Sequence, residues 1–308
     1  MAGKTIVRFP VEDVHNAAAS YVPVGIADGA RPGPSVAVIG GVHGTEYSAL
    51  EGVRRFWARL DPADLSGRVM VVLAADVTAV TARSAYVNPV DGKNLNRAWP
   101  GRADGTLTDV IAHTITREVI SQADVVLDSH GGEWIESIDM FVLTHTTGDQ
   151  ALDARALDLA ISVGMPFVEI LDGVVMCSAE AMKQGKPAVT LEAGGNGVRD
   201  ERHIHATLNC LLNALRHLEM IPGPPVPWAG RPAMVRHSHR MTSPASGLFV
   251  PHVPAGAWVA EGALLAEVQD FDGTALAEIH APESGVVLDI ITARAITAGA
   301  FAVKVSVV

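Results

Sequence analysis

The sequence is poor in cysteine, in clustered basic residues and in long apolar runs. Cys177 and Cys210 are its only cysteines, too few for a disulfide framework, and neither stands in a paired spacing typical of zinc or redox motifs. The net charge of −11 and the lack of a Lys/Arg run argue against a nucleic-acid or anionic-membrane partner. No apolar stretch reaches the roughly 18 residues of a membrane span, and the first residues lack a signal-peptide core. We therefore expect a cytoplasmic protein that acts on small molecules.

What the sequence does contain is a series of valine-rich apolar runs separated by amphipathic segments of helix length. With 48% hydrophobic residues, the chain can bury a substantial core. Strands are predicted near 35–41, 68–75, 124–130, 139–144, 166–171 and 187–194, and helices at 45–60, 106–122, 149–163, 176–184 and 199–219. This alternation, with strands that read as continuous apolar runs, predicts an α/β fold with a largely parallel or mixed sheet flanked by helices.

A proline-rich segment divides the chain. The stretch "IPGPPVPWAGRP" at 221–232 disfavours regular helix and predicts an extended linker. After it, short β-like runs alternate with Gly, Pro and Asp turns, which predicts a small all-β barrel or sandwich. We accordingly predict a catalytic domain over 1–220 and a β domain over 233–308.

Two potential ligands follow the first strong strand, in "GGVHGTEYSALE". If a helix begins near Thr45, Glu46 lies in its first turn and His43 in the loop before it, so both can face one point. An imidazole and a carboxylate would supply two of the three protein ligands of a catalytic zinc. A glutamate early in a helix is equally favoured by the helix dipole, so this stretch alone leaves both interpretations open.

A second candidate stands in "LDSHGGE", where Asp128 and His130 alternate on a predicted strand and share one face. His130 is the natural third ligand, and Asp128 could accept a hydrogen bond from its ring. A histidine at the end of a strand is often only structural. The combination of a His-Glu pair with a distant histidine nevertheless matches a catalytic zinc pattern.

Two further motifs carry polar residues that suit a substrate. "NPVDGKNLNRAWPG" contains the adjacent Asn96 and Arg97, an amide and a guanidinium that suit a substrate carboxylate. "LEAGGNG" ends an apolar strand with Glu192, a carboxylate that would be costly to bury unless it faces a cleft. Beside a metal it could act as a general base.

Other chemically capable residues are assigned structural roles. Histidines two positions apart diverge on a helix but share a face on a strand, where weak metal binding competes with a structural role. The glutamates after His130 could line the cleft, although charged loop residues usually face water, and the cysteine of a predicted helix is expected to be core. The residues concerned are His203 and His205 on a helix, His237 and His239 on a strand, Glu133, Glu136 and Cys177.

Together the four motifs "GVHGTE", "DGKNLNRAWPG", "DSHGG" and "LEAGG" resemble the succinylglutamate desuccinylase and aspartoacylase family, in its order and approximate spacing over 35–219. The resemblance implies a zinc carboxypeptidase-like fold with one Zn2+ per chain. It implies that His43, Glu46 and His130 bind this ion. It also implies Glu192 as general base and proton donor to the leaving amine, and Asn96 and Arg97 as substrate anchors.

The sequence departs from the family at two arginines. The family arginine that polarises the scissile carbonyl falls at Pro89. Arg83 is the nearest arginine upstream and is the candidate to reach the substrate from the loop, although the match is not residue for residue. The arginine that anchors a distal acidic group also lacks a counterpart, since none occurs between Arg155 and Arg199. The resemblance therefore favours neutral or basic N-acyl amino acids, as in the N-acetyl-diaminobutyrate deacetylases of ectoine breakdown.

The C-terminal segment is similar to the family's β domain, which resembles a biotinyl/lipoyl carrier fold. No lysine occurs between Met241 and Val303, so biotin or lipoate cannot be attached there.

The sequence thus predicts a zinc-dependent amidohydrolase, a deacylase that removes an acyl group, in the first instance acetyl, from a small N-acyl amino acid by attack of zinc-activated water. A metallocarboxypeptidase-type peptide hydrolase is one alternative, which a β domain capping the cleft would disfavour. A non-catalytic zinc-binding or scaffold protein is another, which requires the motifs to be coincidental. Assembly as a homo-oligomer is compatible with all three.

Overall fold

The computed structural model describes residues 2–13, 18–227 and 230–308. The helices are α1 (Tyr47–Arg59), α2 (Val77–Ala82), α3 (Leu107–Glu118), α4 (Gln150–Ser162), α5 (Cys177–Lys183) and α6 (Glu201–His217). The strands up to α6 are β1 (Gly3–Asp13), β2 (Ala18–Asp28), β3 (Arg31–Gly40), β4 (Ser66–Val72), β5 (Val125–His130), β6 (Glu136–His145), β7 (Phe167–Leu171) and β8 (Ala188–Gly195). Those after it are β9 (Ala233–Met234), β10 (His237–Thr242), β11 (Gly247–Pro251), β12 (Trp258–Val259), β13 (Leu264–Gln269), β14 (Ala275–His280), β15 (Gly285–Ile291), β16 (Ala295–Ile296) and β17 (Phe301–Val307).

A large mixed sheet runs through the molecule in the order β1-β2-β4-β3-β5-β8-β6-β15-β17-β10. Its centre is parallel, because β3 pairs in parallel with both β4 and β5, and β5 pairs in parallel with β8. The strands toward both ends are antiparallel. The carboxyl ends of β3, β5 and β8 therefore lie side by side at one edge of the sheet.

Burial on both faces explains the apolar runs of the central strands. Along β3, Val36 and Val38 belong to one hydrophobic core, while Ala37 and Ile39 belong to the other. The first core is closed by α1, α4 and α6, and the second by α3 and α5. When both faces of a strand are covered, successive side chains point into two different cores and all of them are apolar. The continuous apolar runs in the sequence therefore reflect the helices packed on both faces of the sheet.

The predicted α/β class is confirmed, and every predicted helix and strand before residue 220 overlaps an observed one. The N-terminal hairpin of β1 and β2 and the short helix α2 have no counterpart among the predicted elements. Much of β1 is exposed, because it lies at the edge of the sheet and pairs only with β2 along the path of the sheet. It therefore lacks the continuous apolar run that identified the central strands.

The chain after the proline-rich segment is an antiparallel β region, as predicted, but part of it extends the catalytic sheet. Strand β15 pairs with β6, so that Asp289 stands opposite Ile138, and β17 and β10 follow. A smaller sheet, β14-β13-β11-β16, packs over these strands around a third apolar core that includes Phe249 and Val303. The division at 221–232 remains a prediction, and residues 228 and 229 lie outside the described ones.

None of the helices in the described part of the chain is long and apolar enough to cross a membrane.

Candidate metal centre and substrate cavity

Glu46 stands at the N-terminal end of α1, one residue before the helix itself, but it does not cap the helix. Its side chain makes no capping hydrogen bond, and its Oε1 lies 2.7 Å from His43 Nδ1. The turn that brings the two together requires Gly44, because a Cβ at that position would collide with the carbonyl oxygens of Ala79 and Ser84. The helix-dipole interpretation of this glutamate is therefore the weaker of the two.

Three potential ligands converge where β3 and β5 end. His130 closes β5, and its Nδ1 lies 3.3 Å from Oε1 and 3.2 Å from Oε2 of Glu46. The ligand atoms of His43, Glu46 and His130 all lie within 4.8 Å of one another. All three residues are buried, so the group forms a compact, nearly dehydrated donor set rather than a surface ion pair.

The outer nitrogen of each imidazole is held by an oxygen acceptor. His43 Nε2 lies 3.1 Å from Asn94 Oδ1, and His130 Nε2 lies 3.2 Å from Asp128 Oδ1. A proton on His43 Nε2 makes the first contact a hydrogen bond and leaves the Nδ1 lone pair directed at the Glu46 carboxylate, whereas the His130–Asp128 contact is an ion-pair distance. This is how hydrogen bonds outside a metal site fix the tautomer and orientation of ligating histidines.

The electrostatics of the group favour charge separation. Burial alone would raise the pKa of Glu46, but His130 and His43 lower it to about 2. Burial would lower the pKa of His130, but Asp128 and Glu46 raise it well above its ordinary value. Without another cation, the site attracts protons to its imidazoles, so a bound metal would displace them.

Glu192 lies beside this group, because His130 and Glu192 are directly paired in the β5–β8 ladder. Its Oε2 is buried and has no hydrogen-bond partner within the described structure. Burial raises the pKa of Glu192 well above its ordinary value, despite the opposing charge of His130. The same carboxylate lines the cavity. This agrees with the expectation that a carboxylate at the end of an apolar strand faces a cleft.

Asn96 and Arg97 also reach this cavity, from a single turn of 3-10 helix after Asn94. Asn96 Oδ1 accepts from Trp99 Nε1 at 3.2 Å and from the Cys177 backbone N–H at 3.1 Å. Its amide nitrogen lies 3.5 Å from His130 Nε2. Arg97 Nη1 donates to the carbonyl of Asn96 at 2.9 Å, so its position is set by its own backbone.

Arg83 is not brought to the site. It ends α2 in the left-handed conformation, with φ of 56°, and its side chain is exposed. It does not belong to the residues that line the cavity. Proximity in sequence was therefore a poor guide, and the loop from 83 to 88 directs Tyr86 inward instead.

Of the two interpretations left open for Glu133 and Glu136, exposure to water is wrong, and Glu136 lines the cavity. Glu133 is fully buried and accepts from the backbone N–H of Thr45 at 3.2 Å and of Tyr86 at 2.8 Å. Glu136 accepts from the Tyr86 hydroxyl at 2.6 Å. These carboxylates fix the loop of the first motif against that of Tyr86, a pairing between distant segments that local sequence cannot reveal.

The cavity has a volume of about 880 Å³, and both parts of the chain line it. The β region contributes Arg240, Asp289 and Lys304, and β7 contributes Glu169. Lys304 pairs with Glu169, and Arg240 lies 4.3 Å from the centroid of the Phe301 ring. The sequence offered no signal for these four residues, because their roles depend on strand pairing across more than 100 residues.

Comparison with known proteins finds matches over most of the chain. Residues 32–218 match the model of the succinylglutamate desuccinylase/aspartoacylase catalytic domain. The chain is 31% identical over 292 residues to the N-alpha-acetyl-L-2,4-diaminobutyric acid deacetylase of Halomonas elongata, covering 91% of this chain and 84% of that one.

Two solved structures extend the similarity to the whole fold. The product-bound ectoine utilization protein EutE (DoeB) of Ruegeria pomeroyi has a TM-score of 0.89 at 26% identity, covering 100% of this chain and 95% of its own. A succinylglutamate desuccinylase/aspartoacylase of Rhodobacter sphaeroides has the same score and identity, and 96% of it is covered, with 100% of this chain.

Proposed function

The chain belongs to the succinylglutamate desuccinylase/aspartoacylase family, and from that premise we propose that it is a zinc-dependent deacylase. Its substrate is a small N-acyl amino acid with a neutral or basic side chain, and the acyl group is acetyl. The observation that carries the proposal is the convergence of His43, Glu46 and His130 beside the unpaired carboxylate oxygen of Glu192.

The three converging residues fit a catalytic zinc. Two imidazole nitrogens and one carboxylate are a known ligand set for such sites, which keep a further position open. The outer nitrogen of His43 already has an acceptor in Asn94, and that of His130 lies 3.2 Å from Asp128 Oδ1. When bound, zinc would polarise a carbonyl and make water a better nucleophile at neutral pH. His43, Glu46 and His130 would hold it, at one ion per chain.

Glu192 would move the proton. A carboxylate with one oxygen unpartnered at the wall of the cavity can accept a proton from the attacking water and return it to the leaving nitrogen. Its burial raises its pKa, which makes it a stronger base than a solvated glutamate and therefore a better match to neutral pH.

Asn96 and Arg97 would orient the amino acid. Arg97 is held in place by backbone carbonyls of Asn96 at 2.9 Å and Val175 at 3.3 Å, so little side-chain freedom is lost when a carboxylate binds. A guanidinium can bind both carboxylate oxygens together. Anchoring that end of the substrate would bring the amide toward Glu192 and the three ligands, which is the positional part of catalysis.

Asp289 supports a basic side chain at the other end of the substrate. It is buried, it lines the cavity, and its Oδ1 has no hydrogen-bond partner in the described part of the chain. Burial and the nearby Glu136 raise the pKa of Asp289 to about 8. A substrate ammonium would stabilise its ionised form, whereas a second substrate carboxylate would favour the protonated form and gain no ion pair with Asp289.

Substrate preference tests this assignment. We expect kcat/KM for Nα-acetyl-2,4-diaminobutyrate to exceed that for N-acetylaspartate by roughly 10- to 100-fold, because an unmatched buried polar group costs about 1–3 kcal/mol. The rate at which the zinc-loaded protein releases a new primary amine from each substrate gives both kcat/KM values. Nα-acetyl-2-aminobutyrate, which lacks only the distal amine, is the matched substrate.

The Asp289→Asn variant extends the comparison. It should lose more activity on the diaminobutyrate than on the aminobutyrate derivative. Equal losses on both substrates would contradict the role of Asp289, and faster hydrolysis of acetylaspartate would contradict the substrate class.

Asp128 is expected to act through His130. Asp128→Ala removes the carboxylate that lies 3.2 Å from His130 Nε2, so zinc affinity should fall roughly 10- to 100-fold, the range for lost partners of metal ligands. Competition with a chromogenic chelator measures it. Asp128→Asn retains an oxygen acceptor and should restore part of the affinity. Unchanged zinc affinity in the alanine variant would show that Asp128 does not support His130 as a metal ligand.

A peptide hydrolase is the weaker candidate. The β region contributes Arg240, Asp289 and Lys304 to the cavity wall, which leaves less room for a polypeptide than an open sheet edge would. Release of C-terminal residues from peptides would reverse this preference. The cytoplasmic location and homo-oligomeric assembly stay predictions from the sequence.

A further inference from the structure

A second group of metal-ligand side chains lies at the edge of the β region. His237 and His239 are two residues apart on β10, where the antiparallel ladder with β17 sets them opposite Val307 and Val305. Alternation puts both imidazoles on one face of the strand, and their ring centroids lie 5.2 Å apart. Ser238 between them bonds instead to Glu169 at 2.6 Å.

Glu283 completes this group from the turn before β15. Its Oε2 lies 2.7 Å from His237 Nε2 and 3.1 Å from His239 Nε2. The turn is fixed by a hydrogen bond of 2.9 Å from the backbone N–H of Glu261 to Ser284 Oγ. The three ligand atoms lie within 4.8 Å of one another. Over residues 2–13, 18–227 and 230–308, the other group that meets this criterion is the candidate catalytic centre itself.

Ordinary surface ion pairing does not account for this arrangement well. Elsewhere on the β region, exposed histidines meet carboxylates one to one, as in His280 with Glu278 at 2.7 Å and His252 with Glu267 at 3.6 Å. Here two imidazoles share one oxygen. They can both donate to it only if each carries its proton on Nε2, and loss of those protons leaves three converging lone pairs. Two imidazoles and a carboxylate suit Zn2+ and its neighbours among transition metals.

The group is placed where a bound ion would matter. His237 lines the substrate cavity, as do Arg236 and Arg240 on either side of it, whereas His239 and Glu283 do not. Its imidazole is half exposed, with a relative accessibility of 51%, so it lies at the rim of the cavity and solvent can reach it. An ion there would carry its own waters to complete its coordination, and these would occupy part of the entrance.

We propose that His237, His239 and Glu283 form a second binding site for a divalent transition metal such as Zn2+, and that its occupation inhibits the enzyme by obstructing the cavity rim. Metal binding at this rim site is independent of the proposed function. The inhibition rests on that function.

Equilibrium dialysis against Zn2+ with elemental analysis tests the site. The full-length protein should bind two ions per chain, the rim ion more weakly than the first, and the double variant His237→Ala/His239→Ala should bind one. Glu283→Gln should weaken the second ion by roughly tenfold or more, as expected for a lost metal partner. His280→Ala, which removes an exposed histidine paired with a single glutamate, is the matched control and should keep two. A double variant that binds as many ions as the unaltered protein would overturn the site.

Inhibition is read separately, with excess Zn2+ added to the loaded enzyme. Amide hydrolysis by the unaltered protein should be inhibited, and His239→Ala and Glu283→Gln should require a higher Zn2+ concentration for the same inhibition. Equal inhibition of all three would refute the effect on the entrance. If no amide is hydrolysed at all, the proposed function fails, and the ion count still decides the rim site.

Discussion

Glu192→Gln is expected to lower kcat by about 10²- to 10⁴-fold, the usual contribution of a positioned general acid or base, while the zinc held by His43, Glu46 and His130 remains bound. The amide of glutamine cannot accept the proton from water or return it to nitrogen. Glu192 is not one of the three converging ligands, so the metal should be unaffected. Steady-state kinetics and elemental analysis of the same sample measure the two quantities together.

The substitution is well suited to separate chemistry from folding. Glutamine has nearly the same volume, and Glu192 Oε2 makes no hydrogen bond that would be lost, so thermal unfolding should stay close to that of the unaltered protein. Glu192→Asp, which keeps the carboxylate but retracts it by one methylene, should recover part of kcat. Full activity of the glutamine variant with its zinc in place would show that another group moves the proton.

The residues of the candidate centre could be found from the sequence because the fold converts strand order into proximity. His43 follows β3, His130 ends β5 and Glu192 lies in β8, three neighbouring parallel strands. Parallel strands end at the same edge of a sheet, where open α/β folds bind their ligands. Polar residues that follow these apolar runs are therefore expected to lie close together, whatever the conformation of the loops.

The far wall of the cavity could not be found in this way. Asp289 and Lys304 reach it because β15 pairs with β6 and β17 pairs with β15, a register between segments about 150 residues apart. The choice of partner strand depends on how the β region docks as a whole, and no local pattern records it. The burial of Glu133 could not be predicted for the same reason, because its partners Thr45 and Tyr86 lie on loops that are distant in sequence.

His43→Ala is expected to abolish zinc binding and activity together. The substitution leaves Glu46 and His130 with one ligand position unfilled, and loss of a direct ligand should exceed the roughly 10- to 100-fold weakening that follows loss of an outer partner. It also removes the imidazole that lies 2.7 Å from the Glu46 carboxylate. With His237 and His239 also replaced by alanine, elemental analysis after gel filtration should find less than one-tenth of the zinc bound when His43 is intact, and amide hydrolysis should fall to background.

The result requires that the fold survive. His205→Ala, at an exposed histidine of α6 outside the converging group, is the control and should keep both zinc and activity. Chelator should lower the unfolding temperature of the unaltered protein but hardly that of His43→Ala, because a ligand stabilises only a state that binds it. A His43→Ala protein that is folded, free of zinc and still active would refute the metal mechanism. A His43→Ala protein that retains tightly bound zinc would show that other residues bind the metal.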